Sequence, residues 1–185
     1  MHFDLTNHFL IAMPSLADPN FARTVTYMCV HNDDGAMGIV INRPLELELG
    51  EVLAQMDLAA EDHAVRARPV FQGGPVQTDR GFILHRPAQS FDSTMQVTAE
   101  VGLSTSRDIL AAMSDGDGPE ESLVALGFAG WSPGQLEQEM ADNAWLSGPA
   151  DPSIMFTAPP SERWSRAARL LGIDPDTLSH DIGHA

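Results

Sequence analysis

The sequence predicts an α+β domain with a mostly antiparallel sheet, and three observations carry that expectation. Short β-branched or aromatic runs recur along the chain, each closed by turn-forming residues. At least five of them precede any long crossover helix, which favours α+β topology over a doubly wound parallel sheet. The linkers are short: even the Gly-, Pro- and acid-rich stretch from Asp115 to Glu121 leads directly into a run that would complete the same sheet. With 185 residues, 43% of them hydrophobic, the chain can close a core without disulfides or metals, so one domain over residues 1–185 is expected.

The strands read as His8 to Met13, Thr24 to His31, Met37 to Asn42, Pro69 to Gln72, Gly81 to His85, Thr94 to Thr98, Leu123 to Phe128 and Ser153 to Phe156. Between the second and third, Asn32-Asp33-Asp34-Gly35 supplies residues that tolerate positive φ, which predicts an antiparallel hairpin. Gly73-Gly74-Pro75, with Asp79, joins the fourth to the fifth.

Four helices are expected. Ser132-Pro133-Gly134-Gln135 offers an N-cap serine, a proline for the first turn and a glutamine that can reach back, after which Leu136, Met140 and Ala144 recur at spacing four to about Leu146. Ser161 can cap a second helix with an apolar stripe of Trp164, Ala167, Ala168 and Leu171, ended by Gly172 and Pro175. A third starts at Ser104 or Thr105 and runs through Ile109, Leu110 and Met113. A fourth covers about Leu49 to Met56, weakened by Gly50.

Ten cations stand against 26 acids, a formal net charge of -16, and every cation is arginine. Without lysine there is no Schiff-base nucleophile and no Walker A phosphate loop. So acidic a chain repels a polyanion unless its arginines concentrate on one face. The densest groupings are Arg66 with Arg68, and Arg163, Arg166 and Arg169, the latter at helical spacing and read as a solvated helix face. Direct nucleic-acid binding is therefore not expected. The single Cys29 cannot form an internal disulfide, which suits a reducing cytosol. The amino terminus has no basic segment before its short apolar run, and nothing approaches the roughly 20 apolar residues that span a bilayer. A soluble, cytoplasmic protein without membrane contact is expected.

Histidines invite a metal reading, but His2 with His8 and His180 with His184 are the only close pairs, and no third ligand accompanies either. No metal and no cofactor is expected. Cys29 lies in Tyr27-Met28-Cys29-Val30-His31, where strict alternation puts it on one face with Tyr27 and His31. It reads either as a redox-active thiolate beside a base or as a small buried apolar residue. At the exit of an apolar strand, Asn42 and Arg43 precede Pro44, and Gln72, Gly73 and Gly74 offer backbone N–H groups without side chains in the way. Together they could line an anion-binding concavity. The same residues also read as a tight turn, a strand terminator and an arginine paired with a local carboxylate. Trp131, at the Gly127 to Pro133 corner, is a ligand-stacking platform or a core-sealing aromatic.

Assembled, the segments His8-Phe9-Leu10-Ile11-Ala12-Met13-Pro14, Phe21 with Arg23-Thr24-Val25, His31-Asn32 with Gly35 through Pro44, Gln72-Gly73-Gly74-Pro75-Val76, Gly127 to Gln135 and Gly183-His184-Ala185 resemble the AlgH/YqgE family of bacterial proteins over nearly the whole chain. The resemblance implies an α+β fold whose bifurcated antiparallel sheet curls into a pseudo-barrel with helices packed around it. It implies no established activity and offers no catalytic residues to carry over. Some members bear the label of transcriptional regulator, although the family has no recognised DNA-binding motif.

Three functions follow as expectations. The leading one is a non-enzymatic regulatory or adaptor protein that acts through a protein partner or senses a small anionic ligand. The second is an enzyme acting on a small anionic substrate near Arg43 and Gly73-Gly74, which requires a pocket group with a perturbed pKa. The third is a DNA-binding regulator, which requires a basic face.

Overall fold

The computed structural model describes residues 3–13 and 21–176. A mostly antiparallel sheet of ten strands curls into a half-barrel, with six helices among the described residues. The strands are β1 (His8–Ala12), β2 (Val25–Asn32), β3 (Gly35–Val40), β4 (Pro44–Glu48), β5 (Pro69–Gln72), β6 (Val76–Arg86), β7 (Thr94–Gln96), β8 (Gly102–Ser104), β9 (Glu121–Trp131) and β10 (Trp145–Pro149). The helices are α1 (Leu49–Gln55), α2 (His63–Arg66), α3 (Arg107–Ser114), α4 (Gln135–Ala141), α5 (Pro152–Phe156) and α6 (Pro160–Leu170).

The predicted hairpin forms: β2 and β3 pair antiparallel down to Asn32 opposite Gly35, whose φ of 129° is open to glycine. The sheet runs β10-β1-β2-β3-β9-β6-β8-β7, and β5, carrying β4, joins β9 as well. Strand β9 is thus the branch point. Its residues 124–126 pair in parallel with β5 while the same residues pair antiparallel with β6, so β5 and β6 lie on opposite edges of β9. The Gly73-Gly74-Pro75 link must therefore cross the β9 backbone.

Glycine makes the crossing possible. A Cβ on Gly73 would stand 2.3 Å from the Gly127 carbonyl oxygen, and one on Gly74 would stand 2.1 Å from the Phe128 carbonyl carbon. The Gly73 amide donates to the Leu126 carbonyl at 2.8 Å, and its carbonyl accepts from the Val40 amide at 2.8 Å, tying the end of β3 into the branch.

Three apolar clusters fill the curl. The largest joins Phe9, Tyr27, Ile39, Phe71 and Leu84 of the sheet to Met155, Trp164 and Ala168 of α5 and α6. A second packs Leu49, Leu53 and Ile109 of α1 and α3 on Val70, Ile83 and Val124. A third holds Leu136 of α4 against Met28, Trp131 and Trp145. Burial of each large side chain contributes about 1.5 to 3 kcal/mol.

Several expectations are corrected. Ser153 to Phe156 is helical, because Asp151 accepts the Ser153 amide at 2.9 Å and Pro152 occupies the first turn, a start signal that outweighs the apolar run. The helix placed from Ser132 to Leu146 is shorter. Gln135 does reach back to the Ser132 amide at 3.0 Å, but the N-cap is Gly134, and Asn143 at φ 58° ends the segment so that Trp145 can pair with Ala12 in β10.

The last long helix begins at Pro160 rather than at a Ser161 cap, and the third starts after Ser106, which holds the N-cap position without a side-chain capping bond, because Ser104 belongs to β8. Strands β4, β8 and β10 and helix α2 have no counterpart in the sequence reading. Helix α1 lies where expected, aided by Glu51, whose carboxylate accepts the Glu48 amide at 2.9 Å.

Candidate functional site

Asn42 and Arg43 do leave the apolar strand beside the glycine link, and the structure shows what their side chains touch. Asn42 Oδ1 accepts the Val25 amide at 2.8 Å and its Nδ2 donates to the Arg23 carbonyl at 3.0 Å, so both ends of the amide brace the entry to β2. Arg43 Nη2 donates to the Ala22 carbonyl at 3.0 Å, and the Arg43 carbonyl accepts the Gln72 amide at 2.8 Å. The glycines that would open a ligand cradle are instead pressed against their own backbone at β9.

One further cation converges on this corner from inside. The face assigned to solvent is corrected here: Arg163 on α6 is 5% exposed. Its Nη1 donates to the Ile41 carbonyl at 2.6 Å, its Nε donates to the Ala158 carbonyl at 3.0 Å, and the guanidinium lies 5.1 Å over the Phe71 ring. No carboxylate among the described residues comes within 4.0 Å of it. Burial without a counter-charge pulls its pKa down to about 10.

The signal for this was present in the sequence, since Arg163 lies four residues before Ala167, at the spacing that shares a helix face with the apolar stripe. Arg166 behaves as a solvated helix cation, pairing with Glu162 at 3.2 Å.

Arg163 lines a cleft of about 400 Å³ between the β5–β9 pair and the α5–α6 junction. Arg68 stands in the same wall, its Nη1 donating to Ser122 Oγ at 2.9 Å. Phe71, Phe156, Pro159 and Pro160 supply the apolar lining, and Glu120 and Glu121 lie along the edge. Glu121 is committed to Arg86 at 2.5 Å. The cleft thus combines two guanidinium groups, neither ion-paired among the described residues, with flat apolar walls. That is the chemistry that receives a carboxylate or phosphate on a small ligand.

Trp131 is buried, stacked on Phe21 at 6.3 Å and edge-on to Trp145 at 5.8 Å. Both indole Nε1 groups donate to Glu139 Oε1, at 3.0 Å and 2.8 Å.

Cys29 is likewise buried, and the pairing of β2 with β3 slips at this position, between Met28 and Val30. The bulge keeps Cys29 with Tyr27 in the main core but sends His31 toward α4, where its Nε2 is bonded to Glu137 and its Nδ1 accepts the Leu5 amide at 3.0 Å. The shared face expected from strict alternation is therefore corrected, because a bulge resets the period. Burial pushes the Cys29 thiol well above its ordinary pKa. The thiol is expected to resist an aqueous disulfide reagent in native buffer and to react fully once denaturant unfolds the chain. Rapid native labelling would contradict this placement.

A serine–histidine pair that sequence reading missed lies in the wall of the sheet. His85 Nε2 is 2.7 Å from Ser104 Oγ, which is 2.7 Å from Thr94 Oγ1, and Thr94 Oγ1 accepts the Phe91 amide at 2.8 Å. His85 Nδ1 faces the Pro87 carbonyl at 2.9 Å, an atom that can only accept, so Nδ1 carries the proton and Nε2 accepts from Ser104. His85 and Ser104 are both 0% exposed, which makes the chain of hydrogen bonds a buried brace.

Of the histidines weighed for a metal, His8 directs Nδ1 at the Thr6 carbonyl, while His2, His180 and His184 lie outside the described residues. Among the described residues, no three His, Cys, Asp or Glu side chains are placed to hold a metal ion, and no helix is long and apolar enough to cross a membrane.

Comparison with known proteins bears on the whole chain. The family model described as AlgH-like matches residues 9–176. A UPF0301 protein of Thioalkalivibrio sulfidiphilus is 58% identical over 182 residues, covering 98% of this chain and 97% of the relative. One from Nitrosospira multiformis is 53% identical over 182 residues, covering 98% of each. The solution structure of the AlgH protein from Pseudomonas aeruginosa superposes with a TM-score of 0.82 at 53% identity, covering 100% of this chain and 98% of that one. A crystal structure of a protein from Corynebacterium diphtheriae, 22% identical, shares the fold with a TM-score of 0.72 over 96% of this chain and 91% of its own.

Proposed function

The chain belongs to the AlgH-like family, and from that premise we propose that it is a non-enzymatic cytosolic sensor that binds a small anionic ligand in the Arg163 cleft. The observation that carries this reading is a buried guanidinium with no carboxylate partner among the described residues, set in the wall of an open cleft. Burying a charge is costly unless something compensates it. Two backbone carbonyls supply part of that compensation for Arg163, and an anion in the cleft supplies the rest. Arg68 widens the positive site, and the Phe71 and Phe156 walls suit a ligand with a flat or apolar body. The net charge of -16 favours a small anion over a nucleic acid as partner.

The test is a thermal-shift series with phosphate, citrate and simple aromatic carboxylates. A ligand at about 100 times its Kd adds about 2.7 kcal/mol, and each kcal/mol raises Tm by about 2 to 4 °C at this size. The shift is expected to fall sharply in Arg68→Gln, whose side chain is only half-buried, and to vanish in Arg163→Met. A silent panel, or a shift unchanged in both variants, overturns the reading.

A further inference from the structure

A second cleft of about 530 Å³ shares only Val124 with the lining of the Arg163 cleft. It lies between α1, the start of α3 and the β6–β9 pair. Beside it β6 shifts register against β9 between Val76 and Gly81. The floor is apolar: Val52 from α1 and Met56 at its C-cap, Ile83 from β6, Leu110 from α3 and Leu126 from β9. Val52, Met56 and Leu126 are only partly buried, so part of their apolar surface has no cover within the chain.

Two guanidinium groups line the cleft together with the Asp79 carboxylate, which is ion-paired with neither among the described residues. Arg80 donates to Gln77 Oε1 and Thr105 Oγ1, each at 3.3 Å, and Arg107 donates to the Met56 carbonyl at 2.9 Å. Both are held by neutral acceptors. Neither has a carboxylate within 4.0 Å among the described residues, although acids outnumber cations 26 to 10 in the chain.

We infer that this cleft binds an amphipathic monoanion, an aliphatic carboxylate whose hydrocarbon body lies on the Val52–Ile83–Leu110–Leu126 floor while its head group is held by Arg80 and Arg107. Hydrocarbon body and apolar floor both leave water, and the charge meets its complement at the rim. The volume falls in the range usual for sites that enclose small organic ligands.

The test is an NMR titration of the full chain with decanoate, with decanol as the uncharged control. Methyl signals of Val52, Ile83, Leu110 and Leu126 are expected to shift and saturate, with decanoate bound about tenfold tighter than decanol or better. Arg80→Gln with Arg107→Gln, both at exposed positions, should reduce decanoate to the affinity of decanol. Gly81→Leu should block both ligands while the protein stays folded, since a Cβ at Gly81 would meet no atom within 4 Å. Equal affinity for the two ligands, shifts confined to the Arg163 cleft, binding unchanged in the arginine variants, or no saturable shift would each overturn the assignment.

Discussion

Gly74→Ala is expected to cost about 3 kcal/mol of stability or more, at the upper end of what overpacking a single site does. The added Cβ would lie 2.1 Å from the Phe128 carbonyl carbon, 2.3 Å from its oxygen and 2.4 Å from the Ala129 nitrogen. None of these atoms can give way easily, because Phe128 pairs with Val76 and Ala129 with Gly38. At φ 155° the position also disfavours any L side chain. Gly116→Ala is the control: its φ is 82°, but no atom lies within 4 Å of the added methyl, so only the backbone term of about 1 kcal/mol applies. Denaturant titrations followed by tryptophan fluorescence separate the two. Equal losses would mean that the crossing over β9 tolerates a side chain and that the reading of the branch point is wrong.

His85→Ala should cost about 3 kcal/mol, combining a cavity with the loss of partners for Ser104 Oγ and the Pro87 carbonyl. The ring also packs where a Cβ on Gly102 would stand 2.7 Å from His85 Cε1, so the vacated space is real volume. The same histidine predicts a pH dependence. Burial lowers its pKa below the ordinary value near 6.5, against a smaller opposing effect of the Pro87 carbonyl.

Between the folded and unfolded pKa values the unfolded chain binds more protons. The contribution of His85 is therefore fully present above about pH 6.5 and is lost as pH falls below it, by at most about 1.4 kcal/mol per pH unit. His85→Gln should remove that part of the slope. A wild-type profile that runs parallel to the variant's between the ordinary histidine and carboxylate ranges would show that His85 titrates normally.

Much of the architecture was legible from short-range chemistry. The Asn32 to Gly35 turn, the strands at His8, Pro69 and Leu123, and the α1 segment each rest on residues within a few positions of one another. Ser153 to Phe156 misled because two local signals competed there, and the Asp151-Pro152 start signal won over β propensity. The Trp145 strand was hidden inside an amphipathic pattern, as only pairing with β1 makes it a strand.

At the candidate site, residue types were easier to read than surroundings. Arginine was read as the group to hold an anion, at Asn42-Arg43 with Gln72-Gly73-Gly74, where the side chains of Asn42 and Arg43 brace the entry to β2 and the glycines press on β9. Arg163 was missed because a guanidinium at a stripe position reads as solvated until the opposing surface is known.

The sequence by itself determined the α+β class, the hairpin, the lack of lysine chemistry and the family, because composition, turn φ preferences and motif order are properties of neighbouring residues. Only the tertiary structure decided that β9 is shared by two strand sets, that a bulge separates Cys29 from His31, and that Arg163 is buried at a cleft. The first and last of these depend on which distant segments share hydrogen bonds and exclude water, as Arg163 and Ile41 do at a separation of 122, while the bulge depends on how the β2–β3 hairpin is paired.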